Sequence, residues 1–222
     1  MSRPLLVTDC DEVLLHMVRH FGDWLDEAHA IDFRPVGGMF ADALRHQHDG
    51  SLVAAERVWP LLDGFFATEM DRQTLAPHAS EALARIAEVA DIVVLTNLGE
   101  QCLAGRIGQL EKHGIRHRVI CNGSHPKGDP VARLVAELRP SVTVFVDDLP
   151  FHHGSVADAA PQVFRLHMVA EPSIARDIPP APAAHARIDD WAEAVDWILA
   201  RFRGEPLDES GSSLDAGRAG AE

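Results

Sequence analysis

An α/β fold, with a doubly wound parallel sheet covered by helices on both faces, is what the sequence predicts, and two observations predict it. From Pro77 onward, short runs of β-branched and other apolar residues alternate with amphipathic helical stretches, the signature of successive β-α-β units. Three apolar runs end on polar side chains: Leu5-Leu6-Val7-Thr8-Asp9-Cys10-Asp11, Ile92-Val93-Val94-Leu95-Thr96-Asn97 and Val142-Thr143-Val144-Phe145-Val146-Asp147-Asp148. Open parallel sheets place their ligands just beyond the carboxyl ends of the strands, which is where these polar residues fall.

The elements follow in order. After the first strand, Leu14, Leu15, Val18, Phe21, Trp24 and Leu25 share one face of a helix. Leu52, Val53, Val58, Leu61, Leu62, Phe65 and Phe66 make a second helical stretch, and Pro35-Val36-Gly37-Gly38 and Asp49-Gly50 read as turns. Residues 16–75 are therefore expected to be a helical insertion between the first strand and the rest of the sheet. Of Trp24, Trp59, Phe65 and Phe66, most are expected to supply its packing face, the alternative being that one or two wall off a site at the strand ends. The core is expected to comprise 1–15 and 76–203, with helices at 79–89, 100–113 and 129–138 and strands at 92–96, 118–121, 142–146 and 163–167. A last amphipathic helix runs through Trp191, Val195, Trp197, Ile198 and Phe202. The proline-rich stretch from Ile178 to Ala184 is an extended connector, since proline suits neither a helix interior nor a paired strand. The segment 204–222 has almost no large apolar side chain and is expected to be a disordered tail.

Composition excludes several function classes. The chain has 222 residues, 46% hydrophobic and 24% charged, with no apolar run long enough to span a bilayer. A formal net charge of -14 argues against a nucleic-acid partner, which draws on clustered Lys and Arg. A small anionic substrate stays compatible, because it needs only a local positive site. Met1-Ser2-Arg3-Pro4 runs straight into the first strand rather than into a signal peptide, and Cys10, Cys102 and Cys121 are odd in number without metal-ligand spacing. Both point to a cytoplasmic protein with reduced thiols. Cys10, between two carboxylates, is expected to be a small packing residue rather than a nucleophile.

The chemistry follows from the strand ends. A carboxylate beside a core is costly unless it is paired or bound to a cation, and this chain places two such pairs, Asp9/Asp11 and Asp147/Asp148. Displacing a phosphoryl group requires a nucleophile, a proton donor for the leaving group, and positive charge for the equatorial oxygens. Two carboxylates two residues apart at a strand end can divide the first two tasks. Asp147 and Asp148 offer hard oxygen ligands, for which Mg2+ is the natural occupant when a phosphate must also be engaged. Lys127, at the start of a helical stretch, supplies a fixed positive charge.

In this order the four segments resemble the four motifs of the haloacid dehalogenase superfamily. Asp9-Cys10-Asp11-Glu12-Val13 is similar to the nucleophile motif, Thr96 to the hydroxyl motif, Lys127 to the lysine motif and Asp147-Asp148 to the acidic metal motif. The resemblance implies a Rossmann-like core with a helical cap at 16–75 and an aspartyl-phosphate intermediate. Asp9 would be nucleophile and metal ligand, and Asp11 the general acid/base, with its main-chain carbonyl also on the metal. Thr96 and Lys127 would hold phosphoryl oxygens, and Asp147 with Asp148 would complete a magnesium shell. Asn97, directly after Thr96, has two equal readings from the sequence itself, a substrate-positioning residue or a turn residue after a strand. The activity implied is a phosphatase for a small phosphorylated metabolite. The alternatives are a phosphomutase, a dehalogenase, or a member kept for binding or regulation. Dehalogenases of this family lack the second aspartate, because a departing halide needs no proton, so Asp11 favours phosphate chemistry.

One residue departs from the pattern: Glu12 stands where the family commonly has a small residue, often glycine. Pointing inward it would weaken anion binding or help hold the metal; pointing outward it is a solvated turn residue, the preferred reading. His152-His153 is expected to be the surface start of a helix, and the tract from Arg45 to Asp49 a solvated polar turn.

Overall fold

A computed structural model describes residues 2–35, 40 and 42–207. The elements are β1 (Leu5–Thr8), β2 (Leu15–His16), α1 (Val18–His29), β3 (Ile31–Phe33), β4 (Leu44–His46), α2 (Ala55–Thr68), β5 (Thr74–Leu75), α3 (Ala79–Ala87), β6 (Asp91–Thr96), α4 (Leu103–Lys112), β7 (Arg118–Cys121), α5 (Gly128–Leu138), β8 (Thr143–Asp147), α6 (Pro150–Ala159), β9 (Phe164–His167), α7 (Pro172–Ala175), β10 (Ala186–Arg187) and α8 (Trp191–Phe202). Single 3-10 turns at Met70–Arg72 and Glu100–Cys102 precede β5 and α4.

Six strands form one parallel sheet in the order β10-β9-β8-β1-β6-β7. From the central β1 the chain first builds outward through β6 and β7, then crosses to the other side for β8, β9 and β10. The strand order therefore reverses between β1 and β8, and a crevice opens there at the carboxyl edge. Strand periodicity sorts the sheet's side chains between two cores. Leu6, Ile92, Val94, Val144 and Val146 pack on one face with residues of α3 and α8. Leu5, Val7, Val93, Leu95 and Phe145 pack on the other with residues of α5 and α6. Burial on both faces explains why these strands read as continuous apolar runs rather than alternating ones.

A third cluster belongs to the insertion. Phe21, Trp24 and Leu25 of α1 pack on Val58, Leu61, Phe65 and Phe66 of α2, with Leu98, Val169, Ile174 and Ile178 contributed from the sheet side. Trp59, grouped by sequence with the packing aromatics, instead stands 62% exposed. The insertion is also not all helical. Leu15–His16 pairs antiparallel with Thr74–Leu75, closing the two crossings of the chain into a short ribbon, and Ile31–Phe33 pairs with Leu44–His46 as a second one. Leu14 and Leu15, expected at the start of a helix, instead belong to the turn and ribbon after β1 and pack in the sheet core. Helix α1 begins only at Val18, because the backbone from Cys10 to Leu15 is used in a tight turn in which the Cys10 carbonyl accepts from the N–H groups of Leu14 and Leu15. Most of the Pro35-to-Gly38 turn and the tail from 208 lie outside the described residues. No helix among the described residues is long and apolar enough to cross a membrane.

Candidate active site

The register of the sheet builds the site. Thr8 lies level with Val146 and with Val94, so the next residue of β1, Asp9, emerges beside Asp147 at the carboxyl edge, its N–H donating to the Val146 carbonyl at 2.9 Å. Lys127 comes from the start of α5. That helix approaches α6 so closely that a Cβ at Gly128 would meet the Ser155 carbonyl at 2.2 Å, and this contact sets Lys127 beneath the strand ends. Its side chain is fully buried. Lys127 Nζ lies 2.8 Å from Asp9 Oδ1 and 2.7 Å from Asp147 Oδ2, bridging the two carboxylates.

The acids are differently occupied. Asp9 Oδ1 also accepts from the Cys10 N–H at 2.7 Å, and Asp147 Oδ1 accepts from the Leu149 N–H at 2.9 Å. Among the described residues no protein donor reaches Asp9 Oδ2 or the Asp148 carboxylate. Asp9, Asp147 and Asp148 each offer an oxygen within 4.8 Å of the other two. Burial pushes Asp9 up to about 7 against the pull of Lys127, and burial together with Asp147, Asp9 and Glu12 pushes Asp148 well above the usual carboxylate range. Burial also works against ionised Asp147, but Lys127 together with His152 and His153 outweighs it and holds that carboxyl below its ordinary value. Ionised together, the three carboxylates would exceed the one ammonium by two charges, an imbalance that a divalent cation fits.

Asp11 is held apart from this cluster. Arg106 of α4, fully buried, sends Nη2 to both of its oxygens, at 2.8 and 2.9 Å. Gln73 donates to Asp11 Oδ1 at 2.7 Å, and the Thr96 hydroxyl reaches Oδ2 at 3.5 Å. Thr96 ends β6 with no exposed surface. Asn97 donates its side-chain amide to the His125 carbonyl at 3.0 Å, tying the loop after β6 to the one before Lys127. Cys10 is buried and its thiol is pushed up chiefly by that burial, in keeping with a packing role.

Two expectations are corrected. Glu12 is not a solvated turn residue: it is 2% exposed, and its Oε1 accepts from the N–H groups of Met17 at 2.7 Å and Val18 at 2.5 Å. It therefore caps α1 from five residues upstream, supplying an acceptor that Met17 at the cap position lacks. Its other oxygen is buried without a partner, and burial pushes the group up to about 7. Nor do His152 and His153 begin a surface helix; both are buried. His153 Nε2 donates to the Asp147 carbonyl at 2.9 Å, and burial takes this ring down to about 4. His167 accepts the Ala181 N–H at Nδ1, so Nε2 carries the proton and donates to the Asp148 carbonyl at 2.8 Å. Two histidines thus pin the backbone of the acidic pair.

Arg106, Gln73, His153 and His167 were not legible as site residues. In α4 the apolar period Leu103, Ile107, Leu110 suggests the inward face, yet Ile107 is exposed while Arg106 and Gln109 are buried. The sole sequence hint was the need for a counter-charge near Asp11.

No protein-family model and no curated protein matches the chain. Solved structures do. A haloacid dehalogenase-like family hydrolase from Streptococcus pneumoniae superposes with a TM-score of 0.62 at 11% identity, covering 87% of this chain and 97% of its own. A HAD family hydrolase from Deinococcus radiodurans with bound phosphate and sodium gives 0.60 at 16%, covering 90% and 96%. A 2-haloacid dehalogenase from Pseudomonas syringae gives 0.54 at 16%, covering 91% and 100%. The chain has the fold of the haloacid dehalogenase-like hydrolases, a Rossmann-like α/β sheet with an insertion after its first strand. At such identities the likeness is one of fold.

Proposed function

We propose that the protein is a magnesium-dependent phosphatase of the haloacid dehalogenase superfamily, hydrolysing a small phosphorylated metabolite through an aspartyl-phosphate. The observation that carries this reading is the free Oδ2 of Asp9 at the sheet's switch point, on a carboxylate fixed by Lys127 and flanked by Asp147 and Asp148. A buried carboxylate with one oxygen anchored and the other open is set to attack. Lys127 would offset the charge of the transferring group from a dry position, where a fixed cation acts strongly. The donor set fits Mg2+: three carboxylates offering only oxygen, which when ionised exceed the Lys127 ammonium by two charges. Asp9, Asp147 and Asp148 would hold the ion, which when bound supplies positive charge to the phosphoryl oxygens. Thr96 closes the strand facing this cluster, and the insertion would act as the cap that selects substrate. The Deinococcus protein with phosphate bound in the same fold agrees with a phosphate ligand.

The test is phosphate release from 4-nitrophenyl phosphate with and without Mg2+, for the wild type and Asp9→Asn. Turnover that requires Mg2+ and disappears in the variant is expected. Undiminished turnover in Asp9→Asn, or halide release from 2-chloropropionate with no phosphate released from any ester, would overturn the reading.

A further inference from the structure

We infer that His167 is a positioning residue for the cation: it fixes the backbone of Asp148, whose carboxylate no protein donor reaches among the described residues, so that this carboxylate can receive the ion. The inference rests on the metal site of the reading above. Asp148 lies between the end of β8 and the start of α6 and belongs to neither. Among the described residues its carbonyl accepts one hydrogen bond, from His167 Nε2 at 2.8 Å.

Asp147 is held far more fully. Its carboxylate accepts from Lys127 at 2.7 Å and from the Leu149 N–H at 2.9 Å, and its carbonyl accepts from the Met168 N–H at 3.0 Å as well as from His153 at 2.9 Å. Removing His153 still leaves Lys127, Leu149 and Met168 in place. Removing His167 leaves the oxygens of Asp148 with no protein donor.

The His167 ring is itself fixed at both nitrogens. It is fully buried, on a residue level with Asp147 in the register of β8 and β9. Its Nδ1 accepts the Ala181 N–H at 3.0 Å. Proline has no N–H, so in the run Pro179-Pro180-Ala181-Pro182 only Ala181 can make that bond. With Nδ1 accepting, the ring proton sits on Nε2 and points at the Asp148 carbonyl. His153, whose ring centre lies 5.4 Å from that of His167, has no partner at Nδ1 among the described residues. The connector, the His167 imidazole and the acidic turn thus form one line of hydrogen bonds that ends at a metal ligand, the means by which an outer residue sets a ligand's orientation.

The experiment measures Mn2+ binding from the free-ion electron paramagnetic resonance signal, and Mg2+ binding by competition. The proteins are the wild type, His167→Leu, His167→Gln and His153→Leu, with circular dichroism as the check on folding. Mn2+ takes the same oxygen ligands as Mg2+. Leucine has no donor, so His167→Leu should bind both ions about 10–100-fold more weakly. A glutamine amide can place an N–H where Nε2 stood, so His167→Gln should stay within about threefold of the wild type, and so should His153→Leu. A folded His167→Leu with wild-type affinity overturns the inference. So does a loss in His167→Gln or His153→Leu as large as that in His167→Leu. If His167→Leu does not fold, the wild type decides: in proton–nitrogen NMR the His167 Nε2–H signal should move on Mg2+ addition, and by more than that of His153. A His167 signal that stays in place overturns the inference. The phosphatase reading is judged by turnover and survives each of these results, whereas a wild type that binds neither ion would overturn its metal site and this inference with it.

Discussion

Glu12 offers the sharpest test of how the turn after β1 is joined to the insertion. Its carboxylate accepts two N–H groups at the start of α1, the 12-residue helix that carries Phe21, Trp24 and Leu25 into the insertion core. Its backbone lies at φ 59°, in the left-handed region that disfavours any side chain. Glu12→Ala keeps the unfavourable φ and strands both N–H groups, so it should cost about 1–2 kcal/mol, the usual value of a lost cap. Glu12→Gly strands the same groups but relieves the left-handed strain, recovering about 1 kcal/mol. Glu12→Gln retains a carbonyl acceptor and should stay near the wild type. At pH 6 the comparison is free of the cost of a buried charge, because burial raises this carboxyl to about 7 and its ionised form is then the minor one. With roughly 2–4 °C per kcal/mol for a domain of this size, melting temperatures should rank Gln, then Gly, then Ala, with Ala about 2–8 °C below the wild type. The assay is thermal unfolding followed by circular dichroism in the presence of a chelator. An Ala variant within a degree of the wild type, or a Gly variant below Ala, would refute the capping role.

Two further outcomes are expected. Lys127→Met leaves Asp9 and Asp147 facing each other with no buried cation, and should lower unfolding free energy by about 3–5 kcal/mol in chelator, with added Mg2+ restoring part of it; denaturant titrations that overlay the wild type would refute the bridge. For Glu171, burial favours the neutral form, but the Ser173 N–H and the Arg19 ion pair at 2.9 Å outweigh it and hold the carboxyl below its ordinary 4.5. A depressed acid contributes stability above its unfolded value and loses it as pH falls through the folded one. Glu171→Gln should therefore melt below the wild type at pH 7, with the gap closing near pH 3. A gap that widened in acid would reverse the sign and the argument.

The sequence by itself determined the sheet and the identity of its polar strand ends. Strands buried on both faces must be apolar throughout, and carboxylates closing such strands are too costly to be incidental, so Leu5–Thr8, Asp91–Thr96 and Thr143–Asp147 and the acids that follow them were legible from pattern alone. Lys127 was legible through its place in the order of the four motifs, since a lone lysine before a helix says little by itself. Tertiary structure alone decided the partners of those charges. Arg106 reaches Asp11 across 95 residues and Gln73 across 62, and no local period records a contact made over that distance. It also decided what lies inside. Glu12 and His153 carry polar side chains that sequence reading assigns to water, yet each is buried where it serves a backbone group, the N–H groups of Met17 and Val18 or the carbonyl of Asp147, and His167 at the end of its strand does the same for the carbonyl of Asp148. Hydropathy measures what a side chain prefers in isolation, whereas the satisfaction of a distant backbone group exists only once the chain has folded.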